Sequence, residues 1–125
     1  MPAPETNAKT VLIVDDDPQI CLLLARALGA MCGRACLSFG SAEELRHVPG
    51  VAECDTAILD YRLNGPGTGL DACRYLRRVG FRGRIVFFTG DAEVLAGRPE
   101  LMHLQVLRVF AKPTEIHELL ALVCD

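Results

Sequence analysis

Asp15, Asp16, Asp60, Thr89 and Lys112 are the residues in this chain whose types and placement could do chemistry together. Asp60 closes the apolar run Ala57-Ile-Leu59, which reads as a buried strand. Other apolar runs end in the same way. Thr10 to Val14 stops at Asp15-Asp16-Asp17, Ile85 to Phe88 stops at Thr89-Gly90, and Val106 to Ala111 delivers Lys112-Pro113. The carboxyl ends of strands in an open α/β sheet are where ligands bind, so these groups would converge on one sheet edge. Aspartates on neighbouring strand tips repel unless a cation lies between them. Mg²⁺ takes one or two carboxylates together with waters and phosphate oxygens. A carboxylate, a divalent ion, a hydroxyl and an ammonium around one open position suit the handling of a phosphoryl group. That chemistry is mostly positioning and charge neutralisation, and a carboxylate nucleophile would give an aspartyl-phosphate. Singly, each residue has a plainer use: the aspartates cap a helix and Lys112 pairs with one of them. The set is what points to chemistry.

The elements that must position these groups can be followed along the chain. A β-branched strand, Lys9 to Asp15, precedes Asp17-Pro18, an N-cap followed by proline at the first helical position. Ile20, Leu23, Leu24, Ala27 and Leu28 recur at helical spacing, and Gly29 or Gly33 closes that helix. After a short strand, Arg34 to Phe39, the capping box Ser41-Ala-Glu-Glu44 predicts a second helix through about His47, ended by Pro49-Gly50. The loop Leu63 to Gly69 holds three glycines and a proline. A third helix is expected from about Leu70 to Arg78 and a strand over Arg84 to Phe88. Asp91 to Leu104 is expected to be a kinked helix or two short pieces, because Pro99 interrupts it. A fifth strand follows, and a last helix begins at Thr114-Glu-Ile-His117. Five strands alternating with five helical segments imply a parallel sheet with right-handed crossovers and helices on both faces.

The totals fit one domain: 125 residues, half of them apolar, with a formal charge of −3. That charge argues against a nucleic-acid surface, which needs clustered Lys and Arg; Arg74, Arg77, Arg78, Arg82 and Arg84 read as a solvated helix face and its loop. No apolar run approaches the roughly 20 residues that cross a bilayer, and no signal core marks export, so a cytoplasmic chain without membrane contact is expected. The six cysteines lack CxxC spacing and read as small buried hydrophobes rather than a disulfide framework. Cys32, Cys36 and His47 could form a metal site only weakly, since zinc-type clusters need tighter, paired spacing.

Four elements in order, Val-Asp15-Asp16-Asp17-Pro, Leu-Asp60-Tyr-Arg-Leu, Phe-Thr89-Gly90 and Lys112-Pro113, resemble the receiver domain of two-component response regulators over nearly the full chain. The resemblance implies a flavodoxin-like, doubly wound five-stranded parallel sheet in order 2-1-3-4-5 with five helices. Residues 9–125 would form the receiver, after a flexible leader at 1–8. Asp60 would be the phospho-acceptor, supplied by a sensor histidine kinase or a histidine phosphotransfer protein and signalling to an output partner that the sequence does not name. Asp16 would be a direct Mg²⁺ ligand and Asp15 one acting largely through water, with Asp60 and the Arg62 carbonyl completing the set. Thr89 would be the switch hydroxyl, Lys112 the partner of the acceptor and then of the phosphate, and the Lys112-Pro113 bond cis. Such a domain catalyses only its own phosphorylation and hydrolysis. Asp17 is left to its N-cap role.

Three departures from the family pattern stand out. Where relatives carry Tyr or Phe three residues before the lysine, this chain has Val109; Phe110 lies one place along and would face the other way. The loop after Asp60 is one residue longer than the commonest version, as in receivers of hybrid kinases. Pro99 interrupts the fourth helix of the signalling face. Arg62 and Asp91 hold the two variable positions beside the path of the hydrolytic water, where opposite charges could pair and hinder access. Two other readings compete. One is a constitutive interaction module on the same fold that does not depend on phosphorylation. The other is an aspartate-nucleophile phosphatase, which would want a second Asp where Arg62 stands.

Overall fold

The computed structural model describes residues 10–125. The leader expected at residues 1–8 lies outside the described residues. Five parallel strands, β1 (Thr10–Val14), β2 (Ala35–Phe39), β3 (Thr56–Leu59), β4 (Arg84–Thr89) and β5 (Val106–Ala111), form one sheet in the order β2-β1-β3-β4-β5. This is the expected doubly wound order, and the central strands are apolar on both faces. Leu12, Val14, Ala57, Leu59, Ile85 and Phe87 pack into one core layer. Val11, Ile13, Ile58, Val86, Phe88 and Phe110 pack into the other. Burying each large apolar side chain stabilises the fold by about 1.5–3 kcal/mol, so the strand tips are held by a rigid support.

Helix α1 (Pro18–Cys32) starts as read: Asp17 Oδ1 accepts from the Gln19 N–H at 2.9 Å and Pro18 occupies the first turn. It ends at Gly33, whose φ of 68° and N–H bond back to the Gly29 carbonyl close the last turn. Leu24 and Leu28 are buried, but Leu23 faces solvent, so the apolar stripe is narrower than its sequence period. The second helical segment departs from expectation. Ser41 Oγ does accept from the Glu44 N–H, but the Glu44 carboxylate takes the Gly40 N–H instead of returning to Ser41. The chain winds as two 3-10 turns, Glu43–His47 and Val51–Glu53, around Gly50 at φ 82°.

Helix α2 (Gly69–Arg78) opens on a capping box that the sequence reading did not draw, with Thr68 and Asp71 as partners. Thr68 Oγ1 accepts from the Leu70 N–H, and Asp71 Oδ2 accepts from the Thr68 N–H at 2.7 Å. The stretch around Pro99 resolves into two short helices, α3 (Ala92–Leu95) and α4 (Pro99–His103), separated at Gly97. Helix α5 (Ile116–Cys124) begins two residues later than expected, after a cis Lys112-Pro113 bond. Glu115 takes up the delay: its carboxylate accepts from the Ala111 N–H and its own N–H bonds the Ala111 carbonyl.

The cysteine reading needs correction. Cys32 and Cys124 are joined in a disulfide, which also removes Cys32 from any cluster with Cys36 and His47. The two stand 92 residues apart in sequence, and only the packing of α1 against α5 brings them together. Among the described residues, no helix is long and apolar enough to cross a membrane.

Candidate functional site

Asp15 and Asp60 each follow directly on a strand and extend its ladder by one bond. The Asp15 N–H donates to the Phe39 carbonyl and the Asp60 N–H to the Val14 carbonyl, both at 2.9 Å. The parallel pairing of Val14 with Leu59 therefore sets the two carboxylates side by side. Lys112, carried from the end of β5, bridges them: Nζ lies 2.6 Å from Asp15 Oδ2 and 2.9 Å from Asp60 Oδ2. Asp15 Oδ1 also accepts from the Asp17 N–H. Asp16 joins the pair, and one oxygen from each of Asp15, Asp16 and Asp60 lies within 4.8 Å of the others. Among the described residues this is the one group of three or more metal-ligating side chains.

Burial sharpens the electrostatics. Desolvation raises the Asp15 carboxyl above its ordinary value, against the pull of the Lys112 ammonium. Burial works to lower Lys112, but hydrogen bonds and charge from Asp15 and Asp60 outweigh it and hold the ammonium above its usual value. The site thus keeps one firm cation against three acidic groups. The surplus of negative charge, on hard oxygen donors within 4.8 Å of one another, fits a divalent ion such as Mg²⁺.

Thr89 ends β4, fully buried, with its Oγ1 accepting from the Asp91 N–H at 3.1 Å. The Thr89 carbonyl accepts from the Lys112 N–H, so hydroxyl and ammonium come from paired strand ends. Arg62 lies two residues beyond Asp60, in an isolated antiparallel bridge with Thr68. Its guanidinium Nε meets Asp91 Oδ2 at 2.8 Å, joining the two variable positions that the sequence singled out. Gly69 sits hard against the acceptor: a Cβ there would collide with the Asp60 carbonyl and the Phe87 ring. That close approach is a site feature missed in the sequence, where Gly69 read only as part of a loop. Phe110 is fully buried in the layer away from Val109, as strand alternation required. Val109, like Tyr61, Leu101 and Leu104, packs against the first layer.

Residues 11–124 match the response regulator receiver domain. The chain belongs to that family. The acid tolerance regulatory protein ActR of Sinorhizobium medicae (strain WSM419) is 32% identical over 136 residues, covering 96% of this chain and 65% of ActR. This receiver thus spans about 65% of the length of that relative. Among solved structures, a sensor protein from Polaromonas sp. JS666 superimposes with a TM-score of 0.79 at 24% identity, covering 91% of each chain. The response regulator TrrA from Thermotoga maritima, solved in complex with Mg(2+)-BeF, gives a TM-score of 0.75 at 24% identity, covering 92% of this receiver and 96% of TrrA. At such identity these likenesses show a shared fold.

Proposed function

We propose that this receiver of a two-component response regulator accepts a phosphoryl group on Asp60 from the phosphohistidine of a sensor histidine kinase or a histidine phosphotransfer protein. The observation that carries the reading is the Lys112 ammonium bridging Asp15 and Asp60 at 2.6 and 2.9 Å, with Asp16 in the same cluster. The Asp60 carboxylate would form the new P–O bond as the P–N bond of phosphohistidine breaks. Lys112 would then pair with the phosphoryl oxygens, and the Thr89 hydroxyl would turn from the Asp91 N–H to donate to one of them. Asp15, Asp16, Asp60 and the Arg62 carbonyl are the groups that would hold Mg²⁺. When bound, that ion supplies neutralising charge between carboxylates and phosphoryl oxygens. Arg62 in place of a second acid, tied to Asp91, speaks against the phosphatase reading. The cytoplasm, where such kinases present their phosphohistidine, is the proposed location.

Incubation with acetyl phosphate and Mg²⁺, followed by intact-mass measurement, tests this. The expected result is one added phosphoryl group, not formed when the metal is chelated beforehand and absent in Asp60→Asn. An unchanged mass in the wild-type chain would overturn the reading. It would leave the constitutive interaction module, which Val109 in place of the aromatic switch residue favours.

A further inference from the structure

We propose that Cys32 and Cys124 form a reversible thiol–disulfide site that fastens the last turn of α5 to the end of α1 according to the surrounding redox state. Their Cα atoms stand 5.6 Å apart, inside the span a disulfide bridges without backbone movement. The placement is held by groups other than the sulfurs. Arg34, just beyond the end of α1, donates from Nη1 to the Val123 carbonyl, and Arg84 donates to the carbonyls of Leu122 and Val123. Two guanidinium groups thus fix the C-terminal turn of α5 beside α1, so the thiols stay opposed when the bond is open. Both cysteines are partly exposed, within reach of a small reagent.

Selectivity follows from the other four cysteines. Cys21, Cys54 and Cys73 are buried. Burial raises all of their thiols and that of Cys36, taking Cys54 and Cys73 up to about 11. A thiol held protonated is a poor nucleophile toward a disulfide. The step balances with a low-molecular-weight disulfide as oxidant. Cys32 and Cys124 form one S–S bond and give up two electrons and two protons; the small disulfide cleaves and leaves as two thiols. A dithiol reductant reverses it. The tether closes a loop of about 90 residues, and α5 is the next element after β5, with Lys112 in the short connection between them. Redox state would therefore act on the element next to the site, and this holds whether or not Asp60 is phosphorylated.

The full chain is equilibrated with oxidised glutathione or with dithiothreitol, denatured, alkylated and weighed. Four alkylated thiols are expected after oxidation and six after reduction, with the linked peptides containing Cys32 and Cys124. The oxidised form should melt higher by roughly 5–10 °C, and that gap should vanish in the Cys32→Ala/Cys124→Ala double variant. Six thiols after oxidation, a bond between other cysteines, or equal melting of the two wild-type forms would overturn the proposal.

Discussion

Arg62 and Asp91 form an ion pair at the two variable positions beside the acceptor. The guanidinium is largely exposed, so the ion pair adds little to stability. We propose that the pair, whose Arg62 stands two residues beyond Asp60, hinders the approach of the hydrolytic water. Arg62→Ala should therefore speed loss of the phosphoryl group by about 1.5- to 5-fold, the rate equivalent of an exposed pair worth 0.2–1 kcal/mol. Decay of the phosphorylated mass with time checks this, and an unchanged rate would remove the pair from the account. The buried thiols make a second prediction at this scale. Desolvation moves Cys54 and Cys73 from 9.0 to about 11. A raised acid contributes stability that is fully present below its unfolded value and lost as pH rises through its folded one. The urea midpoint of the reduced chain should thus fall between pH 9 and 11, and by less in a Cys54→Ala/Cys73→Ala variant. At the residue scale the sequence was informative wherever a polar group ended an apolar run. Asp15, Asp60, Thr89 and Lys112 were legible for that reason. The Cys32–Cys124 bond was not, because a contact across 92 residues leaves no local pattern.

Among the elements, the start of α2 carries the tightest constraint. Gly69 lets the helix approach the Asp60 carbonyl more closely than any side chain allows, while the Thr68 and Asp71 box fixes the first turn. Gly69→Ala should cost on the order of 2–4 kcal/mol, because the obstruction is backbone and cannot swing away. Urea unfolding measures it; a loss below about 0.5 kcal/mol, the scale of an ordinary surface change, would mean the helix can shift freely. Helix boundaries were legible where a cap and a period agreed, as at Asp17-Pro18 and Gly33. They failed where side chains chose other partners. The Glu44 carboxylate went to Gly40 and left a 3-10 turn, and Glu115 bonded Ala111 and delayed α5. Such choices depend on the path of the neighbouring chain, which propensity does not contain.

For the whole molecule, strand order assembles the candidate site. Because β1 and β3 are neighbours at the centre of the sheet, their tips set Asp15 and Asp60 side by side, and β4 and β5 supply the hydroxyl and the ammonium from the same edge. The alternation of apolar runs and helical periods made the parallel sheet legible. The order itself came with the resemblance rather than from periodicity, since several right-handed arrangements share one pattern. The measurement closest to the central claim is chemical trapping of the acceptor. The chain is phosphorylated with acetyl phosphate and Mg²⁺, reduced with borohydride and mapped by peptide mass. Reduction of an aspartyl-phosphate leaves homoserine, and the account predicts it at position 60 alone. Homoserine at Asp15 or Asp16, or none anywhere after phosphate has been taken up, would contradict it.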